Sequence, residues 1–388
     1  MPMAMITDTE TLAAFCDRLS NEAFVTVDTE FMRDKTYWPK LCLVQLGGDE
    51  EASCIDVLAD GIDLSPLYDL MANEAVLKIF HAARQDVEIF VNLTGVTPKP
   101  MFDTQIAGMV CGFGESVGYE TLVNSLAKQN LDKGSRFTDW SKRPLTERQV
   151  TYALGDVTHL RVVYRKLFAQ LEKNNRSVWL EEENAALTNE ATYIVDPQSA
   201  WKRLKARTKD GKVLAVLQGV AAWREIEAQR KDVPRNRIVR DDTIIDISHQ
   251  APRNVEALER VRGMTKGLAN GRYGLEMIKA INTALDLDPS EYPKPPVKKD
   301  LPKGLGPVVD LLKVLLKFKS EKNDVAQKLI ANTSDLEHLA AFGDEAGVVS
   351  LKGWRRKLFG DDALKLKNGD LALAVRGKNI KVIDLTKE

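Results

Sequence analysis

Two carboxylates stand two residues apart at the end of a hydrophobic run, Phe24-Val25-Thr26-Val27-Asp28-Thr29-Glu30-Phe31. Side chains on a strand alternate between its faces, so Asp28 and Glu30 point the same way. Like charges at that spacing raise each other's pKa, and such a pair needs a shared proton or a cation. A hard divalent metal answers this with oxygen coordination. An exposed strand end whose acids face water answers it equally well. A second acid, Asp86, lies in Phe80-His81-Ala82-Ala83-Arg84-Gln85-Asp86-Val87-Glu88-Ile89-Phe90, where a short strand gives way to a helix. An acid in a helix's early turns also complements the dipole, and Glu88 and His81 compete with Asp86 as functional candidates. Tyr152 and Asp156 are spaced i, i+4 in Tyr152-Ala153-Leu154-Gly155-Asp156, so a phenol and a carboxylate can converge from one helical face. Aspartate is a poor helix former, which makes its mid-helix position notable.

The elements that must carry these residues are legible in outline. Thr7-Asp8-Thr9-Glu10 has capping-box spacing for a helix start. Strand-like runs follow at Phe24 to Val27, Leu41 to Leu46 and Cys54 to Val57, bounded by Pro39, Gly47-Gly48 and Gly61. A helix at Leu64 to Ala72, a strand at Val76 to Phe80 and a helix from Arg84 to Leu93 come next, and helices dominate from Thr104, including Thr146 to Asn174. Strands followed by alternating helix and strand predict a mixed sheet with helices packed over it. From Gln198 the character changes. Trp201-Lys202-Arg203-Leu204-Lys205-Ala206-Arg207 is basic, and the region to Leu287 reads as short helices. Tyr292-Pro293-Lys294-Pro295-Pro296-Val297-Lys298-Lys299 reads as a semi-rigid linker. Short helices resume at Val308 to Phe318, Asp324 to Ile330, Asp335 to Ala341, Gly353 to Phe359 and Asn368 to Arg376, although Asn368 to Leu385 also looks partly extended.

At 388 residues the chain predicts two or three domains. No apolar run reaches bilayer length, and Met1 to Glu10 lacks the basic start of a secretory signal, so a cytoplasmic protein without a membrane partner is expected. Cys16, Cys42, Cys54 and Cys111 show no C-x-x-C spacing and read as reduced core residues. The formal net charge of −1 conceals an asymmetry. Residues 1–200 hold 18 Lys and Arg against 30 Asp and Glu, and residues 201–388 hold 37 against 26. A basic half beside an acidic half fits phosphate binding by the second half; two domains with different solvated surfaces fit it too.

The order Asp-x-Glu, a later Asp, then Tyr-x-x-x-Asp resembles the DEDD superfamily of 3′→5′ exonucleases, in its tyrosine branch. The surrounding words "VDTEF", "LCLVQLG", "IFHAARQDVEIF", "MFDTQIA" and "DWSKRPLTERQVTYALGDVTHL" resemble the bacterial ribonuclease D family. The resemblance implies that Asp28, Glu30, Asp86 and Asp156 bind two divalent ions, Mg2+ or Mn2+, and that Tyr152 positions the attacking water. Four carboxylates suffice for such a pair of ions. Phe31 and Met32, nearest the acids, are candidates to pack against the terminal nucleotide, and His81 is a candidate substrate contact or a satisfied buried histidine. Tyr37, Trp38, Arg33, Lys35 and Lys40, and a second cluster of Arg136, Trp140, Lys142 and Arg143, mix aromatic and basic residues as nucleic-acid grooves do; solvated loops with one packed aromatic would look the same.

Further on, "VLQGVAAWREIEAQRKDVPRNRIVRDDTIIDISHQAPRNVEALERVRGM" resembles the helicase-and-RNase-D C-terminal (HRDC) domain, and Leu305 to Glu388 resembles a second, divergent copy. The expected organisation is therefore a ribonuclease H-like α/β exonuclease domain with helices on both faces of a mixed sheet at 1–200. An all-α HRDC domain at 201–292, a linker at 293–304 and a second small all-α HRDC-like domain at 305–388 would follow. The resemblance implies a metal-dependent exoribonuclease that releases nucleoside 5′-monophosphates and matures tRNA precursors and other structured RNA 3′ ends. It further implies a monomer with no obligate protein partner.

Overall fold

The computed structural model describes residues 5–131, 134, 138–294 and 300–386. Arg136 and linker residues 295–299 lie outside the described residues. The α/β part is built on a five-stranded sheet of β1 (Phe24–Met32), β2 (Lys40–Gly47), β3 (Ala52–Ile55), β4 (Leu77–Phe80) and β5 (Met101–Asp103). Its order is β3-β2-β1-β4-β5, with β2 antiparallel to both β1 and β3, and β4 parallel to both β1 and β5. β1 runs five residues beyond the expected Val27, because Asp28 to Met32 pair with β2 out to Lys40. Both acids therefore sit within a strand. The register between β1 and β2 shifts between Glu30 and Phe31, a bulge that re-aims side chains beside the acids.

Helices cover both faces. α1 (Thr9–Leu19), α2 (Ser65–Ala72) and α3 (Arg84–Thr94) share a core with Val25 and Val27. The other face receives α4 (Thr104–Val110), α5 (Tyr119–Leu122) and the long α6 (Glu147–Lys173). α6 starts at a capping box made by Thr146 and Gln149, and buries Ala153, Leu154, Val157, Leu160, Val163, Leu167 and Leu171, a helical stripe. Its approach to the sheet is close. Thr26 Oγ1 donates to the carbonyls of Gly47 and Val157 at 3.0 Å each. A Cβ at Gly47 would stand 2.6 Å from Thr26 Oγ1 and 3.4 Å from Val157 Cβ, so glycine permits the contact.

The helical half attaches in two ways. α7 (Ser177–Leu187) leads to a basic 3₁₀ turn at Pro197–Arg203 and to α8 (Gly211–Lys231), longer than the short helices expected there. This module grips the loop after β1: Tyr37 is buried, its hydroxyl donates to Glu225, and Arg235 donates to both Tyr37 (2.9 Å) and Glu225 (2.6 Å). Asp232 accepts the backbone N–H groups of Tyr37 and Trp38 at 3.0 and 2.9 Å. Tyr37 is thus a docking peg, not a base-stacking platform. The last block instead shares one apolar core with the α/β part, joining Leu312, Leu315, Ile330, Leu339 and Phe359 to Val110, Leu160, Val163 and Leu167. Trp179 stacks on Trp354 at 4.2 Å, and Arg176 donates to the carbonyls of Val110 and Asp324. This block ends in a helix at Asp361–Asn368 and a hairpin of Leu371–Arg376 with Asn379–Asp384. This tail is extended beyond Asn368 and not helical, since Gly369 takes φ +87° and stops the helix. All four cysteines are buried and free. Among the described residues, no helix is long and apolar enough to cross a membrane.

Candidate active site

Strand alternation puts Thr26, Asp28 and Glu30 on the α6 face, while Val25 and Val27 fill the opposite core. α6 then delivers Asp156, one residue before the Val157 carbonyl that Thr26 fixes. Asp28, Glu30 and Asp156 each offer an oxygen within 4.8 Å of the others. Divalent metal–oxygen distances are about 2.0–2.6 Å, so ligands across one ion lie up to about 4–5 Å apart. The three carboxylates fit a hard divalent cation by spacing and by chemistry.

Asp86 lies on the other side of β1, within the field of Asp28. It is buried on α3, and Thr29, on the β1 face opposite Asp28, donates to its Oδ1 at 2.5 Å. The turn that launches α3 is held by Asp103, at the end of β5. Its carboxylate caps α4 and also accepts the N–H groups of Ala82 (3.0 Å) and Ala83 (2.9 Å). Ala82 takes φ +58°, a left-handed conformation that these bonds hold in place. Burial raises the pKa of Asp28 well above the ordinary value, and the charge of Asp156 adds to it. Burial likewise raises Asp86, assisted by the charge of Asp28 and opposed by the Thr29 hydrogen bond. Burial, then the charges of Asp28, Glu30 and Asp156, pushes the Cys54 thiol up to about 12. Negative charge is concentrated here against the cost of desolvation, a pattern that marks functional sites.

Tyr152 lies one turn before Asp156, with its ring 6.1 Å from that of buried Trp140. A second tyrosine escaped the sequence reading. Tyr119, at the start of α5, donates to the backbone carbonyls of Gly155 (3.0 Å) and Asp156 (2.9 Å). Burial, then the charges of Asp156, Asp28 and Tyr152, raises its pKa far above the usual phenol range, so it remains a neutral donor. The only local signal was the Gly118-Tyr119 helix start, which does not disclose a partner 36 residues away.

The other candidates divide. The His81 ring lies 5.4 Å from that of Tyr119, tilted by 52°, and its Nδ1 is 3.0 Å from Thr104 Oγ1; burial lowers its pKa to about 4, so the ring is neutral near pH 7. Phe31 packs with the α1–α3 core, whereas Met32 packs beside Tyr152 and Trp140 on the face of the acids. Trp140 is 2% exposed and cannot stack a base. Arg143 is committed to Asp56 through two bonds of 2.6 Å and to the Cys42 carbonyl, and Arg33 is paired with Glu88 at 2.8 Å. These arginines hold loops together instead of offering free charges to phosphate.

Residues 3–172 match the model of a 3′–5′ exonuclease family, and residues 213–281 match that of the HRDC domain. The chain is 49% identical over 380 residues to ribonuclease D of Granulibacter bethesdensis, covering 98% of this chain and 96% of that protein. It is 51% identical over 384 residues to ribonuclease D of Acidiphilium cryptum, covering 98% and 97%. The crystal structure of Escherichia coli RNase D, an exoribonuclease involved in structured RNA processing, matches with a TM-score of 0.82 and 27% identity over 95% of this chain and 99% of that one. This full-length likeness, together with the convergence of acids from β1, α3 and α6, places the chain in the ribonuclease D family.

Proposed function

We propose that the chain hydrolyses RNA from its 3′ end to nucleoside 5′-monophosphates, with Asp28, Glu30, Asp86 and Asp156 holding two divalent ions, Mg2+ or Mn2+. The convergence of Asp28, Glu30 and Asp156 within 4.8 Å, in a chain of the ribonuclease D family, carries this reading. When bound, such ions acidify a water toward neutral pH and offset charge developing on the leaving 3′ oxygen. Asp28 stands between the other acids, beside Glu30 and Asp156 and within the field of Asp86. The attacking water releases a proton to solvent as its oxygen bonds to phosphorus, the bond from phosphorus to the 3′ oxygen breaks, and that oxygen takes a proton from solvent. Tyr152 orients the water by hydrogen bonding and is not its base, since phenols as a class hold their proton near neutral pH. Tyr119 holds the α6 turn carrying Asp156 through its two backbone contacts. Met32 supplies an apolar contact for the terminal nucleotide; Phe31 and His81 support the site from behind.

We further assign 1–200 to the exonuclease domain, 201–292 to an HRDC domain, 293–304 to a linker and 305–388 to a divergent second HRDC-like domain. Maturation of tRNA precursors and other structured RNA 3′ ends, as a cytoplasmic monomer without an obligate protein partner, completes the proposal. Matched RNA and DNA labelled at the 3′ end, incubated with and without Mg2+ or Mn2+, test it. Metal-dependent shortening of RNA is expected. Equal cleavage of DNA would replace the assigned substrate, and cleavage of neither would leave a nucleic-acid-binding scaffold.

A further inference from the structure

Between residues 201 and 212 six cations, Lys202, Arg203, Lys205, Arg207, Lys209 and Lys212, face a single acid, Asp210. All six are exposed. Asp210 is occupied in capping α8. Arg203 lies in the field of Glu225, while the other five side chains have no hydrogen-bond or ion-pair partner among the described residues. Uncompensated cations crowded on one segment repel one another, and the arrangement persists most readily where a polyanion is the counter-charge. Beside them opens a recess of about 480 Å³, floored by Trp201, Leu204, Ala206, Leu214 and Leu217 and rimmed by Lys202 and Lys294. An aromatic and aliphatic floor with an ammonium rim suits a flat heterocycle bearing a phosphate.

The position constrains what such a ligand can be. Tyr193 lies within the electrostatic reach of Asp86 and Glu88, beside the acidic site. Trp201 is eight steps further along the chain, which limits their separation to about 28 Å. The recess is thus near enough to share one RNA strand with the acids, and it belongs to a separate helical module whose Tyr37 attachment grips the loop after β1.

We propose that this recess seats an unpaired nucleotide of the RNA substrate, 5′ of the scissile bond, its base held in the recess by Ala206 and the exposed edges of Trp201 and Leu204 and its flanking phosphates on Lys202, Lys205 and Lys209. The inference rests on RNA being the substrate. It assigns the upstream strand to the 201–209 segment, and leaves the terminal nucleotide to the acids.

The test uses full-length protein in three assays: binding of a 20-nucleotide single-stranded RNA by an uncleaving Asp28→Asn background across a salt series, hydrolysis of the same RNA in the active background, and hydrolysis of a dinucleotide. The triple variant Lys202→Ala, Lys205→Ala, Lys209→Ala should weaken binding roughly tenfold and lower the salt slope by about 2, since each single-strand phosphate contact contributes about 0.7. KM for the long RNA should rise at constant kcat, with dinucleotide hydrolysis unchanged. Ala206→Trp, which fills the recess, should weaken the long RNA by about fivefold or more. Its effect should disappear with an RNA carrying an abasic position at the seated nucleotide, found by scanning. Unchanged long-RNA binding in the triple variant overturns the proposal. So does a lysine effect without an Ala206→Trp effect, which leaves only a diffuse basic surface. An Ala206→Trp variant that loses thermal stability with RNA affinity intact would assign the recess to a segment of this chain instead. Loss of dinucleotide hydrolysis in wild type would strike the RNA-hydrolysing reading itself, a result separable from all of these.

Discussion

Two acidic clusters flank β1 and the loop after it, one at Asp28 and one where Glu225 of α8 meets Tyr37, and they resolve the same problem in opposite ways. Glu225, 1% exposed in its side chain, meets the Arg235 guanidinium through two bonds of 2.6 Å and accepts the Tyr37 hydroxyl. Burial alone would raise its pKa, but Arg235 and Tyr37 more than offset it and the net shift is downward. Asp28 and Asp86 are raised by burial, and their strongest charged neighbours are other acids. The first cluster carries its counter-charge in the chain and is a fastener. The second draws its strongest charges from other acids, and on the proposed reading a cation from outside offsets them.

Breaking each cluster should therefore give opposite results. Asp28→Asn should reduce RNA hydrolysis by about a thousandfold or more, the scale of losing a principal electrostatic contributor to the transition state. In EDTA its melting temperature should equal or exceed that of wild type, because a repelling charge is removed. Retained activity, or a collapsed fold without metal, would contradict the contrast. Glu225→Gln should do the reverse. Stripping a partly buried arginine of its buried partner should cost about 3 kcal/mol in denaturant titration, while dinucleotide hydrolysis changes less than threefold.

Divalent ions should sharpen the difference. Mg2+ at about 100 times its dissociation constant should stabilise wild type by about 2.7 kcal/mol, a rise of a few degrees in melting temperature that Asp28→Asn abolishes and Glu225→Gln retains. The smallest effect is in pH. The raised values of Asp28 and Asp86 mean that the metal-free fold gains stability as the pH falls from neutral through those values. The lowered value of Glu225 means that its contribution is complete above about 4.5 and lost as the pH falls through its folded value. Melting in EDTA should therefore show a stability maximum on the acid side of neutrality; in Mg2+ the rise on acidification should disappear, because bound ions need the deprotonated carboxylates. A melting temperature in EDTA that falls steadily from pH 7 would contradict the assigned signs.

The attachment of the helical half also governs how the molecule can be dissected. An acidic half followed by a basic half invites cutting residues 1–200 free as a catalytic fragment. Leu312, Leu315, Ile330 and Phe359 share one core with Val110 and Leu160, so removing 201–388 strips an apolar face from the catalytic part itself. Point substitutions on the intact chain are the interpretable experiment.

Asp28, Glu30, Tyr152 and Asp156 were legible because their relations are local: period two on a strand and i, i+4 on a helix place side chains on a common face before any packing is known. The strand pattern and the change of charge near residue 200 were legible for the same reason. Tyr37 and Tyr119 were not. One finds its acceptor 188 residues away and the other 36, and nothing in their own neighbourhoods distinguishes a docking peg or a helix anchor from a base-stacking aromatic. The sequence by itself determined which carboxylates could cooperate, since alternation and helical period are properties of the backbone. Only the tertiary structure decided that three of them meet within 4.8 Å, that Thr29 and Asp103 bring Asp86 alongside, and that one helical block is pinned by polar contacts while the other is fused by apolar ones. Those outcomes depend on long-range packing, in which each contact is settled by the shape and charge of a distant partner.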